Sequence, residues 1–452
     1  MPARLIESLA ITEPLADVLS DSSVLQALLD FEVALARAEA RVGIVPRSAA
    51  DRISEAARAS EFDIAALSRS IFRAGTAAIP VVKALTEKVR ARDRDAAAWV
   101  HWGATSQDVV DTALMLLLKR ARPIIAADLQ LLQKALIRLS NEHKDTVMLG
   151  RTLMQAAPPV TFGLKAAGWL GALHRDRKRL EKAFDQALVL QFGGASGTLA
   201  SLGDKGIAVA HALAEELGLS YPEAPWHTQR DRLANLVCCC GVLTGSLGKM
   251  ARDISLLMQS EVAEVSEPGG GGRGGSSTMP HKRNPIGCAL TLAAAQRVPG
   301  LVANFLSGMV QEHERGIGGW QSEWQIVAGI IQAAGTAATS MAEAAEGLSV
   351  DPARMRYNIE ATNGLIFAER AMMLLAAELG RDVAHELLED ATRKSIAQKK
   401  RLSEVLPELP EVSSRVDRSV LAQLEVAEQY LGSAETFRKA LVDSSTLQKP
   451  ES

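Results

Sequence analysis

Apolar residues recur at steps of three and four from Val109 to Leu139, through VVDTALMLLLKRARPIIAADLQLLQKALIRL. That spacing marks an α-helix with one buried stripe. A helix of some 30 residues extends roughly 45 Å at 1.5 Å per residue, longer than a small domain is wide. Thr105, Ser106 and Asp108 stand just ahead of it as N-cap residues, and Pro123 predicts a bend or interruption because it removes one intrahelical donor. Comparable stretches run over 160–188, 230–265, 286–314 and 324–345. Long Ala- and Leu-rich helices in this number predict an all-α bundle. LTLAAAQRVPGLVANFL carries more small apolar surface than the solvated face of one chain explains, so the bundle is expected to bury surface against copies of itself. Shorter helices and turns flank it. The predicted division is an N-terminal helical domain over 1–108, a central long-helix domain over 109–348 and a C-terminal helical domain over 349–452.

A net charge of −3 gives no reason to expect nucleic acid or an anionic membrane as partner. The basic run RKSIAQKKR, Arg393 to Arg401, reads as a solvated helix face. MPARLIESLAITEPLADVLS lacks the basic-then-apolar pattern of a secretory signal. No uninterrupted apolar run reaches the roughly 18 residues of a membrane span, so a cytoplasmic protein is expected. Cys238, Cys239 and Cys240 are consecutive and Cys288 stands apart. Neighbours on a helix point in different directions, which suits neither a disulfide framework nor a metal site, and no metal is expected.

The stretch EPGGGGRGGSSTMPHKRNP, residues 267–285, sets glycines directly before a dense polar cluster. A phosphate-binding P-loop would need a strand before the glycines and a Lys-Ser/Thr pair after them; neither is read here. A plain linker accounts for GGGGRGG but not for SSTMPHKRNP. A mobile catalytic loop accounts for both, because glycines let a segment swing over a pocket and exclude water. Ser276 and Ser277 can supply hydroxyls, Lys282 a cation and Asn284 an amide to an anionic substrate. Pro285 suits the start of the next helix, whose N-terminus favours negative charge.

GSSTMPHKRNP, Gly275 to Pro285, resembles the signature of the fumarase/aspartase superfamily, with every fixed position present. The resemblance implies homotetramers whose central domains form a bundle of about twenty long helices. It also implies active sites assembled from three subunits, no cofactor, and proton transfer beside a carboxylate through an enolate-like aci-carboxylate intermediate. His281 and the segment VHWGATSQDVVDTAL resemble two branches, the adenylosuccinate lyases and the 3-carboxy-cis,cis-muconate cycloisomerases. Trp102, PWHTQRDRLANL and QEHERGIGGWQSEW resemble the second. The likeness extends through GLIFAERAMMLLAAELGRDVAHELLEDA and so covers essentially the whole chain.

One departure is informative. The lyases carry Gly-Arg-Thr-His-x-Gln, whereas this chain reads GRTLMQ, with Leu153 in place of the histidine. Leucine moves no protons. Expelling a purine amine benefits from an acid, while lactonisation adds the substrate's own carboxylate across a double bond and needs one proton at carbon. The implied reaction is therefore closure of 3-carboxy-cis,cis-muconate, a small tricarboxylate, to 4-carboxymuconolactone. The alternatives are adenylosuccinate cleavage and a non-catalytic scaffold of the same fold.

By the same resemblance Ser276 takes the acid/base position, with a loop-linking serine as its bland alternative. Lys282 would bind a carboxylate, stabilise the enolate or deliver the proton. Asn284 matches a substrate contact or forms a turn. Thr105 and Ser106 would donate to a carboxylate where the helix dipole helps, or simply cap. Arg151, Thr152 and Gln155 match carboxylate-site positions, and His101 is either a donor or a structural histidine. His143, ten residues before Leu153, is a candidate to replace the lost imidazole. Among His227, Gln229, Arg230 and Arg232, the expectation is that Gln229 and one arginine, Arg230, face substrate while the other arginine pairs with an acid.

Overall fold

The computed structural model describes residues 7–270, 274–275, 278–279 and 281–446. Among them are eighteen α-helices and four short strands, so the chain is all-α as the periodicity predicts. Seven helices reach eighteen residues or more: α1 (Asp21–Arg41), α2 (Ser106–Glu142), α3 (Phe162–Ala187), α4 (Asp231–Leu257), α5 (Ile286–Ser307), α6 (Gly319–Glu346) and α7 (Arg381–Gln398). The strands are β1 (Val147–Thr152), β2 (Gln155–Thr161), β3 (Val265–Ser266) and β4 (Ser349–Val350).

Several boundaries differ from the sequence reading, each for a local reason. α3 starts at Phe162 because the preceding residues pair with β1 as a hairpin, and Thr161 Oγ1 caps the helix by accepting from Leu164 N at 3.1 Å. α4 stops at Leu257, and β3 then pairs antiparallel with β4. A strand, though only two residues long, therefore does precede the glycine-rich stretch. Gly308 follows the end of α5, and α6 begins earlier than its apolar spacing suggests, with Gln321 Oε1 accepting from Gly318 N at 2.9 Å. Pro123 lies inside α2, which runs through it uninterrupted.

α4 and α5 are long and apolar enough, by length and composition, to cross a membrane. Neither contains one long unbroken apolar run, because Gly, Cys, Ser and Thr dilute the pattern without reversing the mean hydropathy. Little of the apolar stretch of α5 is covered within one chain.

The contacts gather the described residues into two compact units. The first comprises Met1–Gln130, Arg175–Gly248 and Ala289–Met341; the second comprises Leu131–His174, Lys249–Cys288 and Ala342–Ser452. In the first unit α1 is capped by Ser20, whose Oγ accepts from Ser23 N, and it buries Leu25, Leu28, Phe31 and Leu35 at helical spacing. In the second unit the inner face of β1, Val147 and Leu149, plugs into a core of Ile359, Phe367, Leu375, Leu402 and Leu406. That anchors the hairpin on the C-terminal helices. Gly150 sits at a register shift in β1 where any Cβ would stand 2.4 Å from Pro158 O, so only glycine fits the bulge.

Candidate active site

In the first unit the polar chemistry converges on the start of α2. Asp108 is fully buried and accepts from Thr105 N at 3.0 Å, the third-residue carboxylate of an N-terminal cap. The same carboxylate takes Gly193 N at 3.1 Å, Gly194 N at 2.9 Å, Gln191 Nε2 at 3.2 Å and His227 Nε2 at 2.7 Å. Asp108 thus locks the helix start in place. His227 is spent on that lock.

Thr105 and Ser106, freed from side-chain capping, turn their hydroxyls to one arginine. Arg315 Nη1 donates to Thr105 Oγ1 at 2.7 Å and Nη2 to Ser106 Oγ at 3.2 Å. Arg315 lies in QEHERGIGGWQSEW but was not singled out from the sequence; a lone arginine in a loop of mixed charge gives no periodic signal. His101 holds a left-handed φ of +61° and its Nδ1 lies 2.8 Å from Glu32 Oε1. Burial alone would lower its pKa, but Glu32, by charge and hydrogen bond, and Asp108 outweigh that and raise it. Trp102 packs against Trp99 at 5.0 Å.

Arg230 is a correction. Read from sequence as a substrate contact, it is fully buried and gripped by two acids. Its Nη1 donates to Asp111 Oδ2 at 2.8 Å and its Nη2 to Glu323 at 2.6 Å. Trp320 Nε1 adds a 3.0 Å bond to Asp111 and Gln311 Nε2 a 2.9 Å bond to Glu323. Arg232 also pairs with an acid, Glu223 at 2.8 Å, so neither arginine is left for substrate; Gln229 is exposed.

In the second unit the GRTLMQ segment forms the hairpin tip. Thr152 pairs across strands with Gln155, and Leu153 and Met154 make the turn with φ of +49° and +67°. Two-residue hairpin turns of this kind favour Asn-Gly because both positions need positive φ. Leu153 is 97% exposed, so the residue that replaces the lyase histidine points away from its own chain. Thr152 and Gln155 are exposed beside it. Arg151 turns back instead: Nη1 and Nη2 fork onto Glu264 at 2.9 and 2.7 Å. Glu264 is fully buried and also accepts from Asn358 Nδ2 at 2.8 Å.

His143 is a second correction. It sits at the corner between α2 and β1, with Nδ1 3.1 Å from Thr146 Oγ1 and its ring edge-on to Phe162 at 5.5 Å. Burial lowers its pKa, and its ring is used in packing at this corner. The length of β1 puts roughly 20 Å between this corner and Leu153. Within one chain His143 does not replace the lost imidazole.

Of the glycine-rich stretch, Ser276 and Ser277 lie outside the described residues, as do 271–273 and Pro280. The base of the loop is closed by Asn284 N donating to Gly274 O at 3.0 Å, where Gly274 adopts φ of +64°. Lys282 is exposed, and its N–H bonds Met279 O at 3.0 Å. The N-terminus of α5 is not open to a substrate anion. The buried Glu267 carboxylate already accepts Gly287 N and Cys288 N, each at 2.9 Å. Among the described residues no cluster of His, Cys, Asp and Glu suits a metal.

The candidate residues fall into two groups. Thr105, Ser106, His101 and Arg315 belong to the first unit; Arg151, Thr152, Gln155, Lys282 and Asn284 belong to the second.

Residues 10–300 match the family model described as Lyase, and residues 364–441 that described as Adenylosuccinate lyase C-terminus. The 3-carboxy-cis,cis-muconate cycloisomerase of Pseudomonas aeruginosa is 48% identical over 98% of this chain and 97% of its own. The crystal structure of 3-carboxy-cis,cis-muconate lactonizing enzyme from Pseudomonas putida superposes with a TM-score of 0.92 at 46% identity, covering 98% of this chain and 99% of that one. A nitrosuccinate lyase of Streptomyces davaonensis is 42% identical over 93% of this chain and 90% of its own. The chain belongs to the fumarase/aspartase superfamily of lyases, in the group that holds the 3-carboxy-cis,cis-muconate cycloisomerases.

Proposed function

We infer that this chain is a cycloisomerase that closes 3-carboxy-cis,cis-muconate to 4-carboxymuconolactone. One carboxylate oxygen of the substrate forms a C–O bond to the conjugated diene, the π bond opens toward another carboxylate as an enolate-like aci-carboxylate, and one proton is added at carbon. No group leaves. The observation that carries the reading is near-full-length identity of 48% to a cycloisomerase, joined to Leu153 at the position where lyases keep a proton-handling histidine.

Because attack is intramolecular, the protein's task is to hold the diene in the reactive conformer and to stabilise the enolate. Thr105, Ser106, Arg315 and His101 supply donors for carboxylates at one set of positions; Thr152, Gln155, Lys282 and Asn284 supply the other. Ser276 or Lys282 delivers the proton. The assembly is a cytoplasmic homotetramer with sites shared among subunits and no cofactor. The exposed Leu153 and Met154 and the uncovered apolar stretch of α5 support burial against other copies.

The test is an ultraviolet assay with the purified protein, following loss of the conjugated diene. Lactonisation without adenylosuccinate or nitrosuccinate cleavage is expected. Cleavage of either without lactonisation overturns the reading. Ser276→Ala at full activity in an intact tetramer would remove that serine from the proton transfer.

A further inference from the structure

We propose that Glu32 is a positioning residue for the reaction: its buried carboxylate holds Nδ1 of His101, so that the opposite ring nitrogen, Nε2, is the donor offered to a substrate carboxylate. The pair is direct. His101 Nδ1 lies 2.8 Å from Glu32 Oε1, and the Glu32 side chain, on α1, is wholly out of solvent. A carboxylate only accepts, so Nδ1 carries the hydrogen of that bond and the ring's remaining chemistry falls to Nε2. Of the His101 side chain 21% stays open to solvent, and Nε2 bonds nothing among the described residues.

The number of partners sets Glu32 apart from the carboxylates that fasten the fold. Asp108 accepts from Gln191, Gly193, Gly194 and His227 besides Thr105 N, and Glu264 from both Arg151 and Asn358. Among the described residues the Glu32 side chain bonds His101 alone, and its Oε2 is buried without a partner. A carboxylate withdrawn from water for one hydrogen bond is unfavourable unless a cation meets it, and the imidazole is placed to be that cation. His101 keeps a left-handed φ of +61°, a strained setting for a residue other than glycine. It stands four residues before Thr105, so the two Cα atoms are no more than about 14 Å apart. The turn between them is pinned: Asp108 binds Thr105 N and Gly194 N, and a Cβ on Gly194 would stand 3.2 Å from Gly103 O. His101 is thereby tied to the helix start whose hydroxyls Arg315 bonds.

Charge favours the same reading. Burial would lower the His101 pKa, but Glu32 and, from the first turn of α2, Asp108 raise it. Asp108 has an imidazole of its own in His227, and Arg315 is the cation bonded to Thr105 and Ser106. Glu39 lies two turns along α1 from Glu32; burial first, then Glu32, push its pKa up to about 9, so at neutral pH it brings no second negative charge to the pair. That the anion received is a carboxylate of the muconate rests on the proposed function; that the pair serves a polycarboxylate does not.

Two measurements on the full-length protein test this. Glutamine keeps an acceptor for Nδ1 and removes the charge, so Glu32→Gln should leave the ring in place and lower its pKa. KM for 3-carboxy-cis,cis-muconate should then rise about tenfold at pH 8, with a smaller change in kcat and a difference that shrinks toward pH 6. The alkaline fall of kcat/KM should move to lower pH, because the imidazolium is the donor and is lost as pH rises through its pKa. Glu32→Asp, which keeps the charge, should hold that limb nearer to its wild-type position. In calorimetry at pH 8, propane-1,2,3-tricarboxylate should bind Glu32→Gln about tenfold more weakly than wild type and with greater proton uptake. A Glu32→Gln protein with wild-type KM, tricarboxylate affinity and pH profile overturns the proposal, as does one whose only defect is a lower melting temperature, or a wild type that binds no tricarboxylate. Should Glu32→Gln not fold, His101→Gln removes the same donor: it should raise KM at least as far at pH 8, and wild-type KM and pH profile in that variant overturn the proposal equally. If the wild type does not lactonise but its tricarboxylate binding depends on Glu32 in this way, the anion-binding pair stands and the assigned reaction falls.

Discussion

Two ion clusters in this molecule use the same chemistry to opposite ends. In the first unit Arg230 lies between Asp111 and Glu323, all three buried, with Trp320 and Gln311 filling further acceptor positions. In the second unit Arg151 forks onto the buried Glu264 while part of its own side chain stays exposed, and the exposed Lys249 pairs with Asp253. The first is closed, with a surplus negative charge that burial and Asp111 express by raising the Glu323 pKa despite Arg230. A closed cluster fixes where helices meet. A half-open pair buries its carboxylate and leaves its cation within reach of solvent. Burial and charge balance, more than residue type, separate a structural arginine from a binding one.

The largest effect should come from breaking the closed cluster. Arg230→Met leaves two buried carboxylates with no cation and should cost about 3–5 kcal/mol of stability, read as a lowered denaturant midpoint or failure to fold. If the variant folds with wild-type stability but binds tricarboxylate poorly, the comparison is inverted and Arg230 belongs to the site after all.

Glu39 offers a way to break the comparison from within the first unit. It is fully buried on α1, and neither carboxyl oxygen has a hydrogen-bond partner among the described residues. Burial first, then Glu32, push its pKa up to about 9. Between the ordinary carboxylate range and that value the folded state holds a proton that the unfolded chain has released, so wild-type stability falls as pH rises through this window. Glu39→Gln removes the dependence. It should be more stable than wild type by about 3 kcal/mol at pH 7, with the difference shrinking toward pH 4. Melting curves from pH 4 to 9 check it; parallel curves would mean that Glu39 has a partner and that the first unit is closed throughout.

How far the sequence carried the reading follows from what each feature needs. The long helices were legible because a buried stripe repeats every turn, and the loop signature because its residues are contiguous. Arg230 was misassigned because its partners lie far from it in the chain; nothing local distinguishes an arginine destined for Asp111 from one free for substrate. Glu264 escapes a sequence reading for the same reason. The hairpin is hard to read from sequence because Leu153 and Met154 occupy a turn that normally advertises itself with Asn-Gly, and because β2 carries two consecutive prolines. Leu153 was legible as a chemical absence, while its place at an exposed tip needed the backbone.

That turn supports the smallest prediction and bears most directly on the open region. Leu and Met at positive φ cost about 1–3 kcal/mol each relative to residues that adopt it freely. Replacing both, Leu153→Asn with Met154→Gly, should therefore stabilise the isolated chain by about 2 kcal/mol, the low end of the sum because glycine loses more backbone entropy on folding, read as a rise of a few degrees in melting temperature. If the tip is retained only for folding, nothing else changes. If the strained apolar pair is kept because another copy of the chain packs on it, the same variant should melt higher at low concentration yet associate more weakly and turn over more slowly. Sedimentation and the lactonisation assay on one preparation distinguish the two. Higher stability with unaltered assembly and activity would mean that the strain serves no site, and the contrast between the two units would then rest on the burial of their ion pairs alone.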